Sequence, residues 1–529
     1  MNELDLRRRY QKHLCSCPAL GLQVDISRMP FPDDYLDDLR EPMSRAFLAM
    51  KELERGAKAN IDEDRMVGHY WLRAPELAPN ADIRAEIEGT ILAIKKFAED
   101  VHEQQISPEQ GDGFFVVLVI GIGGSVLGGQ FVCDALGRGD DPMVVRFLDN
   151  TDPDGMDRTL EELDESLNQT LTIVISKSGD TRETRNAMKE VEAAYRRAGL
   201  NFARHAVAVT GKDSPLHKQA DNEHWLATFP IWDWVGGRNS VLSAAGLLPA
   251  ALQGIDIDAL LSGARACDVV TRGGKPAENP SAILAAMWHF ACKEQHRRNM
   301  VILPYRDRLA IFSRYLQQLV MESLGKARDR QGKAVHEGLT VYGNKGTTDQ
   351  HSLVQQLRDG MNDFFVTFIE VLRDRNDTSL TVESDVTSGD YLHAFLYGTR
   401  NALYENGRPS ITIVLEDLSA RTVGVLIALF ERAVGLYAEL IDVNAYDQPG
   451  VEAGKKAADQ VFEMQRNVLS YLRANPGKSL NADEVAVAIG HPDAAEMVLH
   501  ILDHAAANKD HAVRREVGAG PCNARYRAQ

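Results

Sequence analysis

The sequence predicts an α/β protein in which two parallel sheets are flanked by helices, with helical segments at both ends. Short apolar runs alternate with helical stretches from about residue 114, and a second region of this kind extends from about 299 to 440. Such alternation is typical of parallel sheets covered by helices. The pattern predicts a helical segment over 1–100, two α/β domains over 101–260 and 261–455, and a helical extension over 456–529.

The composition is that of a globular protein and disfavours two kinds of partner. Of the 529 residues, 44% are hydrophobic and 26% are charged. The formal net charge of −17 disfavours nucleic acid and membrane surfaces as partners, because the proteins that bind them carry basic stripes. An anionic small substrate stays possible, because helix ends and single cations can bind it.

Targeting and cysteine signals predict a cytoplasmic protein. The N-terminus lacks the apolar stretch of a signal peptide, and the longest apolar run, Phe114–Ile120, is too short to span a bilayer. The six cysteines are scattered, and the close pair Cys15 and Cys17 has no second pair at zinc-site spacing. Reduced, structural cysteines are therefore expected.

The first half of the chain is predicted to contain a charged helical segment followed by the strands and helices of the first sheet. Residues 1 to about 100 are charged with helical spacing, and loops interrupt them near Pro30 and Pro75. A helix is predicted after Thr181, and a loop signal, Thr271-Arg-Gly-Gly-Lys-Pro, lies in the connection from 255 to 298. The candidate strands of the first sheet are Phe114–Ile120, Met143–Leu148, Leu171–Ile175 and His205–Val209.

The second half repeats this order and ends in helices. Beyond Lys456 a helical extension is predicted, with a break at Asn475 and a loose end from Gly518. Its helices have a helix-turn-helix-like spacing, but their acidic side chains predict a packing or oligomer surface instead of DNA binding. The candidate strands are Met300–Leu303, Phe364–Ile369 and Ile411–Val414, and the candidate helices are 307–325, 390–405 and 420–440.

A glycine-rich turn, Gly121-Ile-Gly-Gly-Ser-Val-Leu-Gly-Gly129, follows the first predicted strand and opens a helix. Ligands bind at this end of parallel strands, and helix N-terminal N–H groups favour anions. Glycines such as Gly124 permit close approach, and Ser125 can cap the helix or donate to a phosphate oxygen. A purely structural turn is the alternative. A dinucleotide fingerprint would need a glycine in place of Val126.

A hydroxyl-rich turn, Ile175-Ser-Lys-Ser-Gly-Asp-Thr-Arg-Glu-Thr184, follows another apolar run. Ser176, Ser178 and Thr181 supply hydroxyl donors, and Lys177 supplies a positive charge. Such a turn can hold a phosphate monoester without a metal. A capping box on Thr181 is the alternative, and both can hold together. Two such turns in one sheet favour a phosphate site.

A third segment, Tyr315-Leu-Gln-Gln-Leu-Val-Met-Glu-Ser-Leu-Gly-Lys326, sets Gln318 and Glu322 one helical turn apart on one face. A carboxylate fixed by a helix beside an amide suits a proton-transfer base. The alternative is a solvated face, because Glu322 and Lys326 also have the i,i+4 spacing of an ordinary ion pair.

Three more segments are distinctive: Trp232-Asp-Trp-Val-Gly-Gly-Arg-Asn-Ser, Gly346-Thr-Thr-Asp-Gln-His and Tyr446-Asp-Gln-Pro-Gly-Val-Glu-Ala-Gly-Lys. With the segments above, they stand in the order of the glucose-6-phosphate isomerase family, which the chain resembles from about residue 115 to 456. The resemblance implies two sugar-isomerase (SIS) domains and a homodimer. It also implies conversion of glucose 6-phosphate and fructose 6-phosphate in glycolysis and gluconeogenesis, without metal or organic cofactor.

The resemblance also implies roles for single residues. Glu322 matches the base that moves a proton between C1 and C2 through a cis-enediolate, and Arg238 matches the residue that stabilises the enediolate. His351 matches the ring-opening histidine, which reaches the site from the other subunit, with Lys455 close to that step. On the residues alone, Arg238 could instead pair a carboxylate, and His351 could belong to a helical first turn. The matching substrate-side residues are Gly124, Ser125, Ser176, Lys177, Ser178, Thr181, Gln318 and Gln448.

Some positions depart from the family pattern. Asp180 is unfavourable near a phosphate unless its side chain points away, for example to cap the helix. Thr348-Asp349 and Pro449 replace Asn-Gly and Trp of many members. These variants resemble a bacterial branch. Three other functions stay open: a dual phosphoglucose/phosphomannose isomerase, a sugar-phosphate sensor that would not need Glu322, and an isomerase with a protein-binding tail.

Overall fold

Two sheets form the framework of the first of two compact units. The computed structural model describes residues 3–516, 520 and 523–529, and the chain divides into a unit up to Asp447 and a unit from Gln448. The strands within the described residues are β1 (Leu14–Cys17), β2 (Leu22–Asp25), β3 (Val116–Ile120), β4 (Val144–Leu148), β5 (Thr170–Ser176), β6 (Ala206–Thr210), β7 (Ala227–Pro230), β8 (Asn299–Pro304), β9 (Lys326–Arg328), β10 (Ala334–Glu337), β11 (Thr340–Tyr342), β12 (Phe364–Val371), β13 (Thr381–Glu383), β14 (Val386–Thr387), β15 (Ser410–Leu415), β16 (Val513–Glu516) and β17 (Arg525–Ala528).

Helices connect and cover these strands. Most of them carry an apolar face that packs on a sheet or on another helix. The α-helices within the described residues are α1 (Glu3–His13), α2 (Tyr35–Asp38), α3 (Arg40–Glu54), α4 (Ala81–His102), α5 (Leu127–Leu136), α6 (Pro153–Leu163), α7 (Arg182–Arg197), α8 (Pro215–Glu223), α9 (Ala244–Gln253), α10 (Ile257–Thr271), α11 (Pro280–His289), α12 (Phe312–Leu316), α13 (Val354–Asp359), α14 (Ser388–Glu405), α15 (Ala420–Leu440), α16 (Pro449–Ala474), α17 (Ala482–Ala488) and α18 (Ala495–Ala507).

The first sheet is parallel throughout, in the order β4-β3-β5-β6-β7. Its central strands, β3, β5 and β6, are buried on both faces. Val117 and Val119 of β3 enter the main core, whereas Leu118 and Ile120 enter a separate cluster on the opposite face. A strand buried on both faces needs helices on both sides. All five strands therefore end at one edge, where β3 and β5 are neighbours.

The second sheet is mixed, in the order β1-β2-β15-β12-β8-β11. The strands β15, β12, β8 and β11 are parallel to one another. The strands β1 and β2 form a hairpin, and β2 pairs antiparallel with β15. Within the segment predicted as helical over 1–100, residues 14–25 form this hairpin instead. Its strands have only four residues each, too few to give a clear alternation signal, although Leu22 and Val24 are buried in turn.

The predicted fold class, α/β with two helix-flanked sheets, is confirmed. The seven candidate strands are present with ends moved by a residue or two, and the helices near 390–405 and 420–440 are present. β7 and β11 are short edge strands that apolar runs did not reveal. Among the described residues, none of the helices is both long and apolar enough to cross a bilayer.

A fully buried ion-pair network joins the helices of the main core. Arg73 donates to both carboxylate oxygens of Asp268 at 2.7 and 3.0 Å, and Arg432 Nε donates to one of them at 2.9 Å. Arg73 also pairs with Glu431, and Arg432 with Glu54. Burial alone would raise the pKa of Asp268, but the charges of Arg432 and Arg73 hold it well below its usual range. Asp268 is therefore the carboxylate on which both arginines depend.

The second unit has its own small core. α16, α17 and α18 pack with the hairpin β16–β17 around side chains such as Val485 and Tyr526. The predicted break at Asn475 is confirmed, because α16 ends at Ala474. The predicted loose end is wrong for residues 525–528, which form β17, although Gly518 lies outside the described residues. Cys522 also lies outside them, and the other five cysteines are buried and free.

Candidate active site

The two predicted phosphate turns lie side by side at one edge of the first sheet. β3 and β5 pair in parallel, with Ile120 opposite Val174. The glycine-rich turn after β3 and the hydroxyl-rich turn after β5 therefore leave from the same edge. Open parallel sheets bind ligands at this carboxyl edge.

The hydroxyl groups of the second turn converge at the N-terminus of α7. Ser176 Oγ lies 3.0 Å from Thr181 Oγ1 and accepts a hydrogen bond from the Gly179 N–H at 3.1 Å. Ser178 Oγ lies 3.4 Å from the same threonine oxygen. Thr181 is the N-cap residue of α7, but its side chain makes no capping hydrogen bond within the described residues. The capping-box alternative is therefore absent here, and the three hydroxyls can donate to one oxyanion.

Asp180, the acidic residue of this turn, is paired with a neighbour in α7. Its carboxylate accepts a hydrogen bond from Arg185 Nη1 at 2.8 Å. The expected helix cap is replaced by this ion pair. The guanidinium charge offsets the repulsion that Asp180 would exert on a bound phosphate dianion.

Replacing Arg185 with Met should raise KM for a sugar phosphate about two- to fivefold and leave kcat unchanged, as expected for an exposed charge pair. The cause is the uncompensated carboxylate of Asp180. Steady-state kinetics at low ionic strength measure the effect. Arg196→Met, an exposed arginine of the same helix, is the matched control. The explanation is wrong if KM stays raised when Asp180→Asn is added to Arg185→Met.

Lys177 forms hydrogen bonds with the backbone of the loop that follows β7. Its Nζ donates to the carbonyls of Asp233 at 2.8 Å and Val235 at 2.9 Å. Burial lowers the pKa of Lys177 to about 8; the charge of Arg65 adds to the effect and that of Asp233 opposes it. The hydroxyl-rich turn is thus connected to the segment that carries Arg238.

The glycine-rich turn packs closely against two other segments. A Cβ on Gly124 would come within 2.2 Å of the carbonyl carbon of Gly237, so glycine is required there. Ser240 Oγ donates to the Gly124 carbonyl at 2.8 Å. A Cβ on Gly123 would lie 3.3 Å from Nε2 of Gln318. The turn therefore lies beside both segments that carry the predicted catalytic pair.

Arg238 and Glu322 form an ion pair beside this turn. Arg238 Nη1 lies 2.8 Å from Glu322 Oε1, and Nη2 donates to the carbonyls of Ala445 at 2.7 Å and Asp447 at 2.8 Å. Arg238 Nε is buried with no hydrogen-bond partner among the described residues. Burial lowers the pKa of Arg238, and the charge of Glu322 opposes that shift. The carboxylate that Arg238 pairs is thus the predicted base itself.

Glu322 ends a π-helical turn. α12 covers Phe312–Leu316, and Gln317–Glu322 continues as a π-helix, where the sequence predicts one helix over 307–325. Apolar spacing cannot reveal one extra residue in a turn. Such wide turns occur frequently at functional sites. The Glu322 side chain keeps 19% of its surface exposed, so it can reach a ligand while Arg238 holds it.

Lys326 forms a hydrogen bond with the backbone of the same turn. Its Nζ donates to the carbonyls of Glu322 at 3.1 Å and Asp447 at 2.9 Å, and it lies 2.9 Å from Asp447 Oδ1. The ion pair of Lys326 is thus with Asp447, and the ion pair of Glu322 is with Arg238. Burial lowers the pKa of Lys326, and Asp447 opposes that shift. The sequence predicted neither Lys326 nor Asp447 as a site residue, although both lie within the segments it singled out.

Replacing Lys326 with Met should lower kcat about 10- to 100-fold with little change in KM, because a small displacement of the base is costly. It should also reduce the free energy of unfolding by about 1–3 kcal/mol, because Asp447 loses its partner. Kinetics and urea unfolding measure the two effects. Lys333→Met, an exposed lysine in the following turn, is the control. A kcat within twofold of the wild type would contradict this positioning role.

The remaining predicted residues lie as follows. Ser125 ends a short 3₁₀ turn before α5 and is half-buried, and His351 ends the 3₁₀ turn Thr348–His351 and is exposed. Gln448 and Lys455 belong to the second unit, at the N-cap and in the early turns of α16. Their roles stay predictions. Within the described residues, no group of three or more histidine, cysteine, aspartate or glutamate side chains is arranged to hold a metal.

Comparison with known proteins gives the family. A sequence model described as phosphoglucose isomerase matches residues 25–403 and 397–474. The chain belongs to this family. The resemblance that the ordered motifs carry is therefore confirmed, and the match includes the segments that hold Arg238, Glu322 and Asp447.

Individual relatives agree over the full length. A glucose-6-phosphate isomerase of Geotalea daltonii is 59% identical over 518 residues, which are 98% of each chain. One of Geobacter sulfurreducens is 57% identical over 530 residues, 100% of each. The crystal structure of a glucose-6-phosphate isomerase from Chlamydia trachomatis has a TM-score of 0.79 and 28% identity, covering 87% of this chain and 91% of that chain. Membership thus extends over sequence and fold alike.

Proposed function

We propose that this chain is an isomerase that interconverts D-glucose 6-phosphate and D-fructose 6-phosphate, as part of glycolysis and gluconeogenesis. Membership of the phosphoglucose isomerase family supports the substrate and the reaction. The observation that carries the proposal is the Arg238–Glu322 ion pair beside the glycine-rich turn, one of the two turns that the sequence predicts to bind an anion. The proton transfer needs one carboxylate, one buried cation and a set of donors that binds the phosphate.

Glu322 acts as the base on one face of the open-chain sugar. It removes the proton from C2 of the aldose and returns it to C1, while the hydroxyl proton of O2 moves to O1, which gives the ketose. The cis-enediolate between these steps carries negative charge on its oxygens, and Arg238 stabilises it electrostatically. Because Arg238 also contacts Glu322, one guanidinium both orients the base and faces the charge that forms.

Ring opening precedes the proton transfer and is assigned to His351, with Lys455 close to that step. An imidazole suits the transfer because its unperturbed pKa is about 6.5. His351 is exposed in the described unit, which suits a histidine offered to a second subunit. We therefore propose a homodimer in which each site receives His351 from the partner.

The phosphate and hydroxyl groups of the sugar are held by the two turns and by two glutamines. Lys177 keeps the loop before Arg238 in place and adds positive charge. No metal or organic cofactor takes part in the proposed reaction, and the proposed location is the cytoplasm. The proposed binding residues are Gly124, Ser125, Ser176, Lys177, Ser178, Thr181, Gln318 and Gln448. The proposed domain limits are 1–100, 101–260, 261–455 and 456–529.

Conversion of fructose 6-phosphate to glucose 6-phosphate by the purified chain in EDTA tests the reaction. Turnover is expected. Binding of the sugar phosphate without turnover would instead identify a sensor. Equal turnover of mannose 6-phosphate would identify the dual isomerase. Deletion of 480–529 with full retention of turnover would leave that tail free for a separate protein contact.

Hybrid dimers test the shared site. Glu322→Gln and His351→Ala chains are each expected to be inactive. After subunit exchange, a hybrid dimer contains one site with both native residues. If equal amounts exchange at random, about half of the dimers are hybrids, so the mixture should regain about a quarter of the activity of the same amount of wild type. Exchange is followed with differently tagged chains. Absence of recovery after proven exchange would mean that His351 acts within its own chain.

A further inference from the structure

A cleft apart from the predicted site residues is lined by arginines and by a single carboxylate, Asp25. The cleft has a volume of about 390 Å³ and lies between α1, α14 and the hairpin side of the second sheet. Arg28 and Arg400 line it, together with Tyr10, Tyr397 and Thr412. None of the predicted catalytic or substrate residues lines it. The cleft is therefore a separate feature of the first unit.

The two guanidiniums keep unused donors at this cleft. Nε and Nη1 of Arg28 and Nε of Arg400 are buried and have no hydrogen-bond partner among the described residues. Both planes are held by aromatic rings, Arg28 at 4.5 Å from the Tyr404 ring centre and Arg400 at 4.6 Å from that of Tyr397. Buried donors without acceptors cost free energy, and stacking fixes where they point.

The charges of the cleft do not cancel. Arg400 Nη1 donates to Asp25 Oδ2 at 3.2 Å and to Thr412 Oγ1 at 3.3 Å, so one carboxylate serves Arg400. Nε and Nη1 of Arg28 have no hydrogen-bond partner among the described residues, although the charge of Asp25 also acts on Arg28. Burial lowers the pKa of Arg28 and the charge of Arg400 lowers it further, whereas Tyr404 and Asp25 oppose the shift. Asp25 is thus the one carboxylate that lines the cleft, so an excess of positive charge remains there.

The ligand chemistry follows from the donors. The three unpartnered nitrogens carry four N–H groups on two planar forks and match an oxyanion with three equivalent oxygens, whereas a carboxylate offers two. An adjoining cavity of about 710 Å³ shares Leu6 and Arg28 and gives room for the rest of a molecule. Glu405 and Arg408 line that second cavity. Over both cavities, arginines outnumber carboxylates.

We propose that the cleft formed by α1, α14 and β15 is a second anion site, which binds the phosphate group of a small phosphate monoester between Arg28 and Arg400. The site is distinct from the catalytic one and is independent of the proposed isomerase reaction. Arg28 is its principal ligand, because its removal leaves no carboxylate without a partner. Arg400 is less suitable for a test, since Asp25 depends on it.

Titration calorimetry of the full-length chain with inorganic phosphate tests this site. The wild type should bind two phosphates per chain, one at the catalytic turns and one in the cleft. Arg28→Met should bind one, with isomerase turnover unchanged. Arg8→Met, an exposed arginine on α1, is the matched control and should still bind two. Citrate at the same concentration should not replace phosphate in the cleft.

A second measurement separates binding from a structural role. Without phosphate, Arg28→Met should unfold at the same temperature as the wild type or above it, because repulsion and unused donors are removed. Arg28→Lys keeps the charge but loses the fork, and should weaken cleft binding at least about tenfold. It also serves if Arg28→Met does not fold. The proposal is overturned if Arg28→Met binds as many phosphates per chain as the wild type.

Discussion

Replacing Glu322 with Gln should reduce kcat for fructose 6-phosphate by roughly 10²–10⁴-fold, the usual contribution of a positioned general base. The amide has nearly the same shape, and its oxygen can still accept the hydrogen bond that Arg238 Nη1 donates at 2.8 Å. It cannot take up a proton at neutral pH. KM should therefore change little, and the loss should appear in kcat.

The control for this variant is a second glutamate–arginine pair. Glu439 has 16% of its side chain exposed and is bonded through both oxygens to Arg330, so its environment resembles that of Glu322. Glu439→Gln removes a comparable ion pair and should keep kcat within about threefold, a loss of under 1 kcal/mol of transition-state stabilisation. If Glu322→Gln loses less than tenfold, the proton is moved by another group. Steady-state rates of both variants decide between these results.

Replacing Asp268 with Asn should reduce the free energy of unfolding by about 3–5 kcal/mol, the cost of breaking a buried ion pair from one side. Asp268 accepts hydrogen bonds from Arg73 and Arg432, and all three side chains are almost fully buried. Without its charge, Arg73 and Arg432 lose the carboxylate that they share and keep one partner each, Glu431 and Glu54, in a buried site. Urea unfolding followed by tryptophan fluorescence measures the change.

The same substitution at the surface of the same helix is the control. Asp258 also belongs to α10, but it is 60% exposed and pairs with Lys95 at the protein surface. Asp258→Asn should therefore cost less than about 1 kcal/mol. Equal losses for the two variants would mean that the network contributes no more than a surface pair. Turnover of Asp268→Asn should also fall, since Glu431 of the network contacts Asn239, next to Arg238.

Local patterns in the sequence predict the strands and turns well but not the irregular backbone. The run Phe114–Ile120 is apolar at every position, and a strand buried on both faces requires that composition. The hairpin over 14–25 and the π-helical turn at 317–322 carry no such signal. The hairpin is stabilised by β15, which lies far along the chain, and the π-turn depends on one extra residue that any helical pattern tolerates.

The site shows the same division between local and long-range information. The motifs that hold Arg238, Glu322 and the phosphate turns are contiguous, so residue type and order identified them. The contacts that position the base are not contiguous. Lys326 and Arg238 both bind the backbone at Asp447, from segments widely separated in the chain. That convergence is a property of the fold and has no counterpart in a linear pattern.

The pairing of β2 with β15 also determines when the second sheet can be completed during synthesis. Asp25 leaves the ribosome early, but its partner in β15, Thr412, is made several hundred residues later. Until then the hairpin has no strand to join, and afterwards it covers an edge of the sheet that would otherwise invite pairing with other chains. The hairpin near the N-terminus can thus join the second sheet only after β15 has been synthesised. We therefore expect removal of the segment before Ile26 to make the protein aggregate, although its catalytic residues are still present.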